Sequence, residues 1–188
     1  MPAHPEQNIS ARAKTTTYQV KEKHGLIWAS TGNPIHDISP FYGVDEDYRT
    51  VIAGPYDVQT SAPRVIENFL DLAHFPFVHT GLFGAEPHTE IKDYEIEKSD
   101  DGIIARKCFV YQPQTNVSSG EGADVEYSYR IIRPLTVMLT KEPGAAGGKP
   151  QDIIMLSVQP KAEEQSRAWI VLAMNYEFEQ PDSYFREF

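Results

Sequence analysis

Hydrophobic and polar residues alternate along much of the second half of the chain. A period of two predicts β-strands with one buried face, and it occurs at residues 91–98, 103–111, 125–131 and 168–178. Two further strands are predicted at 135–141, after Pro134, and at 153–159, where the apolar run is nearly continuous. Because the links between successive strands are short, the pattern predicts an antiparallel sheet.

The first half is less regular. Residues 17–29 favour a strand, 31–47 a loop, and 48–60 contain one more strand. Thr60 and Ser61 are candidate N-caps and Pro63 suits a first helical turn, so we expect a helix over roughly 62–75. Two turn signals complete the pattern, the hairpin motif at 100–102 and the Gly- and Pro-rich loop at 143–150.

Four polar residues of the predicted helix and of the turn that follows it carry the candidate chemistry. Asn68, Asp71, His74 and His79 form the spacing N-x2-D-x2-H-x4-H. Residues three apart lie on one side of a helix, which groups the first three. The two histidines lie about 140° apart on an ideal helix, so the helix must end or bend between them. Pro76 is the expected cause of that break.

Two neutral imidazoles held close together can bind a divalent metal. With one carboxylate they form the facial triad of non-haem Fe(II) oxygenases, and Asn68 and Asp71 would lie just outside the ligands. The alternative is that His74 and His79 are ordinary core or surface histidines. The three-residue spacing and the proline favour the metal site.

This segment resembles the mononuclear iron motif of Rieske non-haem iron oxygenases, the aromatic ring-hydroxylating enzymes, in the catalytic domain of their alpha subunit. A second match, Glu22-x-x-Gly25-Leu26-Ile27-Trp28, resembles the strand that leads out of the family's Rieske domain. The resemblance implies that His74 and His79 bind mononuclear Fe(II). It also implies that Asp71 relays electrons from a neighbouring subunit's Rieske cluster or orients His74, and that Asn68 lies near the iron.

The chain also departs from the family pattern. A Rieske [2Fe–2S] cluster needs two Cys and two His, and Cys108 is the single cysteine. We therefore expect the cluster only in an N-terminal domain that this sequence lacks. The third iron ligand of the family would fall beyond Phe188. The expected organisation is a flexible arm at 1–16 and a partial catalytic domain at 17–188, without the C-terminal helices.

Another carboxylate could in principle replace the missing ligand. Five acids are candidates, although each is more simply a solvated surface residue: Glu67, Glu86, Asp93, Glu177 and Asp182.

The fold implied by the resemblance is α+β, a curved antiparallel sheet packed on helices in the helix-grip manner of START-like and Bet v1-like domains. Such a sheet encloses a pocket. Residues on the strands could line it or could be ordinary core: Tyr127, Tyr129, Met138, Met155, Met174 and Phe178.

Composition excludes several kinds of partner. Seventeen Lys and Arg against 27 Asp and Glu give a net charge of −10, which argues against nucleic acids and anionic membrane surfaces. A single cysteine fits a reducing cytoplasm, and neither a signal peptide nor a spanning apolar run is visible.

The resemblance thus implies an oxygenase that uses Fe(II) and O2 to hydroxylate or demethylate a small organic substrate, most often aromatic. Electrons would come from a reductase or ferredoxin, and the parent would be a homotrimer. We expect the fragment alone to be inactive and its assembly to differ from the parent's. The alternatives are a non-catalytic helix-grip domain that binds an apolar ligand, or an inactive remnant.

Overall fold

The computed structural model describes residues 4–115, 122–142, 151–176 and 179–185. The chain divides into two units, residues 1–38 and 39–188. The predicted loop at 143–150 and the candidate pocket residue Phe178 lie outside the described residues. The predicted arm at 1–16 stays a prediction.

In the first unit, a hairpin replaces the single strand that was predicted over 17–29. Its strands are β1 (Gln19–Lys23) and β2 (Leu26–Ser30). The turn consists of His24 and Gly25, with φ of 55° and 69°. Glycine enters this left-handed region without steric penalty, so the chain reverses at a point where the hydrophobic pattern continues.

The second unit is built on a seven-stranded antiparallel sheet, as predicted. Its order is β3-β9-β8-β7-β6-β5-β4, so the last six strands form a meander and β3 closes one edge. The strands are β3 (Arg49–Val58), β4 (Glu95–Ser99), β5 (Gly102–Gln112), β6 (Ala123–Arg133), β7 (Thr136–Lys141), β8 (Asp152–Ala162) and β9 (Gln165–Met174). The helices are α1 (Ala62–Leu70), α2 (Phe75–Val78) and α3 (Asp182–Phe185).

The predicted turn at 100–102 joins β4 to β5. Ser99 pairs with Gly102, whose φ is 128°. A Cβ at position 102 would lie 2.1 Å from the Ile131 carbonyl oxygen, so only glycine fits there.

Both faces of the central strands are covered. Leu156 and Met155 are consecutive on β8 and point to opposite faces, yet their exposed fractions are 3% and 0%. Helix α1 packs on the Leu156 face through Ile66. On the other face a Cβ at Gly43 would lie 3.1 Å from Ile153 Cδ1, which places the loop before β3 against the sheet. This double coverage explains the continuous apolar run at 153–159.

The helix predicted over 62–75 begins where expected and ends early. Ser61 is its N-cap and Pro63 lies in the first turn, but the helix stops at Leu70, and Asp71 is extended with ψ of 118°. Asp71 Oδ1 accepts a hydrogen bond from the Ala73 backbone N–H at 2.8 Å, a local turn that competes with helix. Asn68, Asp71 and His74 therefore do not share one helix face.

The expected role of Pro76 is also wrong. This proline lies in the first turn of α2 and helps to begin that helix, where its missing N–H has no intrahelical partner to lose. The break in the helix comes from Asp71 and not from Pro76.

Candidate metal centre

The two histidines of the motif stand at the two ends of α2. His74 is its N-cap and His79 its C-cap, and the His79 backbone N–H donates to the Phe75 carbonyl oxygen at 3.1 Å. The ring centroids of His74 and His79 are 5.0 Å apart, with an angle of 62° between the ring planes. A helix of a single turn thus brings together two imidazoles that a longer straight helix would separate.

Phe75 anchors this turn to the sheet. It is buried in a cluster with Leu139, and its ring lies 6.4 Å from that of Tyr127 and 5.7 Å from that of Phe83. The following loop returns closely, because a Cβ at Gly84 would lie 2.6 Å from the Pro76 nitrogen. The imidazoles are therefore held on a packed element.

Asp71 contacts the first histidine. Its Oδ2 lies 3.3 Å from His74 Nδ1, while its Oδ1 is held by the Ala73 N–H. The Asp71 side chain is 47% exposed and that of His74 only 13%. With the proton on Nδ1 donated to Asp71, Nε2 of His74 is left as a lone-pair donor for a metal.

The second histidine favours its neutral form. Burial, and then the nearby His74, lower the pKa of His79 below its ordinary value. Neutral imidazole is the form that binds a metal. The environment of His79 is therefore compatible with a ligand role.

A cavity of about 490 Å³ opens beside these rings, between sheet and helices. His74, His79 and Asn68 all line it, although Asn68 is an exposed residue. Apolar residues from the strands form much of the wall: Val51, Ala53, Leu139, Ile154, Ile170 and Leu172. The volume and the mostly apolar lining are those of a small-molecule site.

Sequence reasoning missed a polar part of the same cavity. Lys141 and Asp152 line it together with Gln114 and Tyr176. Lys141 and Asp152 are direct cross-strand partners at the end of β7 and the start of β8. The signal was present in the alternation of β8, which puts Asp152 on the same face as Ile154 and Leu156.

Among the predicted pocket residues that the structure describes, only Tyr127 lines the cavity. Tyr129, Met138, Met155 and Met174 are buried at exposed fractions of 4% or less and are absent from the lining. These four are core residues, which was the alternative interpretation. Cys108 is also buried in the core, next to Tyr127.

No substitute carboxylate joins the histidines in the described part of the chain. Glu67 pairs with Arg64 and Asp182 with Arg49, while Glu86 and Asp93 are exposed. Glu177 lies outside the described residues. Over the described ranges, no three His, Cys, Asp or Glu side chains cluster closely enough to hold a metal together. The site as described offers two imidazoles.

A comparison with known protein families shows to which family this chain belongs. Residues 58–188 match the model described as the vanillate O-demethylase oxygenase C-terminal domain. The chain belongs to this family. The resemblance to the catalytic domain of Rieske non-haem iron oxygenases is thereby confirmed.

Two relatives of this chain are described as demethylases, one of them as a probable demethylase. It is 40% identical over 169 residues to NdmC of Pseudomonas sp. (strain TJI-51), described as a probable methylxanthine N7-demethylase, covering 87% of this chain and 60% of NdmC. It is 34% identical to the methylxanthine N3-demethylase NdmB of Pseudomonas putida, covering 74% of this chain and 39% of NdmB. The chain thus spans less than two thirds of these relatives.

Solved structures show the same fold. NdmA of Pseudomonas putida with caffeine aligns with a TM-score of 0.78 and 20% identity, covering 99% of this chain and 53% of NdmA. Dicamba monooxygenase bound to 3,6-dichlorosalicylic acid aligns with a TM-score of 0.77 and 20% identity, covering 98% and 58%. This chain therefore has the helix-grip-like fold of a Rieske oxygenase catalytic domain. No helix in the described ranges is long and apolar enough to cross a membrane.

Proposed function

We propose that this chain is the catalytic domain of an oxygenase that holds mononuclear Fe(II) with His74 and His79 and hydroxylates or demethylates a small ring compound. The observation that carries the proposal is the pair of imidazoles, 5.0 Å apart, on the wall of an apolar cavity. Family membership supports it. We also infer that the helix-grip-like fold is of the START-like and Bet v1-like kind.

The donor set fits iron as far as the described residues go. Imidazole nitrogens are common ligands of Fe(II), and two of them are part of the facial triad. One solved relative, dicamba monooxygenase, is described with non-haem iron. When bound, Fe(II) would supply the activation of O2.

The protein side chains would then do three things. His74 and His79 hold the metal on a rigid turn, and Asp71 orients the His74 ring through Nδ1. By family resemblance, Asp71 also leads electrons toward the site from a Rieske cluster, and Asn68 lies near the metal at the cavity wall. The apolar strand residues exclude water and hold the substrate ring.

The names of the relatives support a proposal for the substrate. Since NdmB is named a methylxanthine demethylase and NdmC a probable one, we propose an N-methylated purine-like ring as substrate and N-demethylation as the reaction. The remaining parts of the proposal are a [2Fe–2S] Rieske domain, a reductase or ferredoxin as electron donor, a homotrimeric assembly and a cytoplasmic location.

Fe(II) binding tests this function. Under anaerobic conditions the chain is loaded with Fe(II), and its nitric oxide adduct is measured by EPR. We expect the wild type and the control His88→Ala to give the adduct, because His88 is exposed and stacks on Tyr111, outside the cavity lining. His74→Ala and His79→Ala should each abolish it. Absence of an adduct in the wild type contradicts the proposal.

A second candidate function is ligand binding without chemistry. It is favoured by the absence of a third carboxylate beside the two histidines in the described ranges. A binding domain needs the cavity and not the imidazoles. It is therefore supported if the wild type takes up a ring compound but no Fe(II), and if His74→Ala with His79→Ala leaves that uptake unchanged.

A further inference from the structure

The cavity has a charged end that the proposed iron chemistry does not use. Strand alternation puts Leu139 and Lys141 of β7 on one face, together with Ile154 and Asp152 of β8, and all four line the cavity. Leu139 is part of the cluster that contains Phe75 of the histidine turn. Lys141 and Asp152 each lie one two-residue step, about 7 Å, further along their strands.

Both charged groups are held in place. Lys141 Nζ donates to the Thr115 carbonyl oxygen, and Asp152 Oδ1 accepts from the Tyr176 hydroxyl at 2.7 Å. The backbone next to Asp152 is fixed as well, because the Gln151 N–H donates to Asn175 Oδ1 at 3.0 Å. Fixed polar groups in a largely apolar pocket determine how a ligand is oriented.

With respect to the described residues, each group also has bonding capacity left over. An ammonium has three donors, and the contact with Thr115 uses one of them. Within the described ranges, the second carboxylate oxygen of Asp152 accepts no hydrogen bond. Although they are cross-strand partners, Lys141 and Asp152 do not form a direct ion pair in the described part of the chain. A ligand can therefore engage both.

The side chains of Lys141 and Asp152 are partly buried, and this burial disfavours the charged form of each group. Burial raises the pKa of Asp152, against the Tyr176 hydrogen bond and the charge of Lys141. It also lowers the pKa of Lys141. Partly buried charges are expected to have partners, and the two groups supply opposite halves of a hydrogen-bonding pair.

We propose that Lys141 and Asp152 determine specificity by binding the edge of a neutral ring that carries a carbonyl oxygen next to an N–H, as in a cyclic amide or ureide. Lys141 donates to the carbonyl oxygen and Asp152 accepts from the N–H. A substrate with a carboxylate is disfavoured, because its charge would meet that of Asp152. This inference rests on the proposed function only in treating the bound ring as the substrate.

Three ring compounds distinguish the contacts. Theobromine has a carbonyl next to an N–H, caffeine has a methyl group in place of that hydrogen, and vanillate carries a carboxylate. Binding of each to the chain is measured by calorimetry at neutral pH, without iron. We expect theobromine to bind at least about tenfold more tightly than caffeine, because the methyl group of caffeine faces Asp152 where theobromine offers an N–H, and vanillate to bind most weakly.

Two variants test the residues. Asp152→Asn removes the negative charge with little change of shape, so vanillate should bind about tenfold more tightly and the preference for theobromine over caffeine should shrink. Lys141→Met removes the donor and should weaken the binding of both theobromine and vanillate. The control is Asp101→Asn in the exposed turn before β5, which should change nothing. Thermal unfolding of each variant confirms that it is folded.

The outcomes separate the two proposals. Wild-type binding of vanillate as tight as that of theobromine, unchanged vanillate binding in Asp152→Asn, or no binding of theobromine would each overturn the role of this charged end. Fe(II) binding is measured on the same preparations. A wild type that shows the expected preferences but binds no Fe(II) supports this inference and contradicts the proposed oxygenase.

Discussion

Asp71 Oδ2 lies 3.3 Å from His74 Nδ1, and the other oxygen of Asp71 ends helix α1 by accepting from the Ala73 N–H. One carboxylate therefore both terminates the helix and contacts the first candidate iron ligand. The turn that follows has room to place His79 beside His74.

This contact predicts the effect of Asp71→Asn. The neutral amide is a weaker partner for the imidazole N–H, and loss of such an outer contact commonly costs about tenfold or more in metal affinity. We expect Fe(II) to bind about tenfold more weakly, measured by anaerobic titration. Glu67→Gln is the control, because this acid is exposed and paired with Arg64. Equal affinities in both variants would show that Asp71 does not support His74.

The packing of α1 predicts a stability loss in Ile66→Ala. Ile66 is 6% exposed and contacts the sheet face that contains Leu156. Truncating a buried isoleucine lowers the free energy of unfolding by about 2–5 kcal/mol. Urea denaturation measures it, with Ile96→Ala as the matched control, since Ile96 is 60% exposed and should change stability by less than about 0.5 kcal/mol. Similar losses in the two variants would contradict the packing described for α1.

The environment of Cys108 predicts an unreactive thiol. Burial, and secondarily the charge of Glu126, raise its pKa to about 11. Since the thiolate is the reactive form, the native protein at pH 8 should react with an aromatic disulfide reagent more than about a hundredfold more slowly than the protein unfolded in guanidinium chloride. The absorbance of the released thiolate gives the rates. Comparable rates in the two states would mean that Cys108 is accessible.

The ion pairs of Asp57 predict how the stability of the protein depends on pH. It accepts from Arg167 Nε at 2.8 Å and from Lys161 Nζ at 3.2 Å, and these contacts, Arg167 first, lower its pKa to about 2. A lowered carboxyl pKa stabilises the fold above the unfolded value of about 3.9 and loses that effect as pH falls through the folded value.

The corresponding test is the melting temperature as a function of pH. Asp57→Asn should melt below the wild type by a constant amount from pH 5 to 7, and the difference should shrink below about pH 4. Asp101→Asn, in an exposed turn, should show neither effect. A difference for Asp57→Asn that is the same at every pH would assign its contribution to packing and not to charge.

Much of the sheet was predictable because its signals are local. Alternation located β5, β6 and β9, a continuous apolar run located β8, and the 100–102 motif located a turn where Gly102 is sterically required. The first turn of α1 was also predictable from Ser61 and Pro63. The end of that helix was not, because an Asp can continue a helix or close a turn, and the pattern of apolar residues does not distinguish these.

The sequence by itself determined that most of the chain forms an antiparallel sheet, and it paired His74 with His79, since periodicity and motif spacing are properties of neighbouring residues. Tertiary structure decided which side chains share the cavity. Lys141 and Asp152 belong to different strands, and only the register of β7 with β8 makes them neighbours. The alternation of β8 could show on which face Asp152 lies, but not that Lys141 lies opposite to it, because pairing between strands depends on the whole sheet.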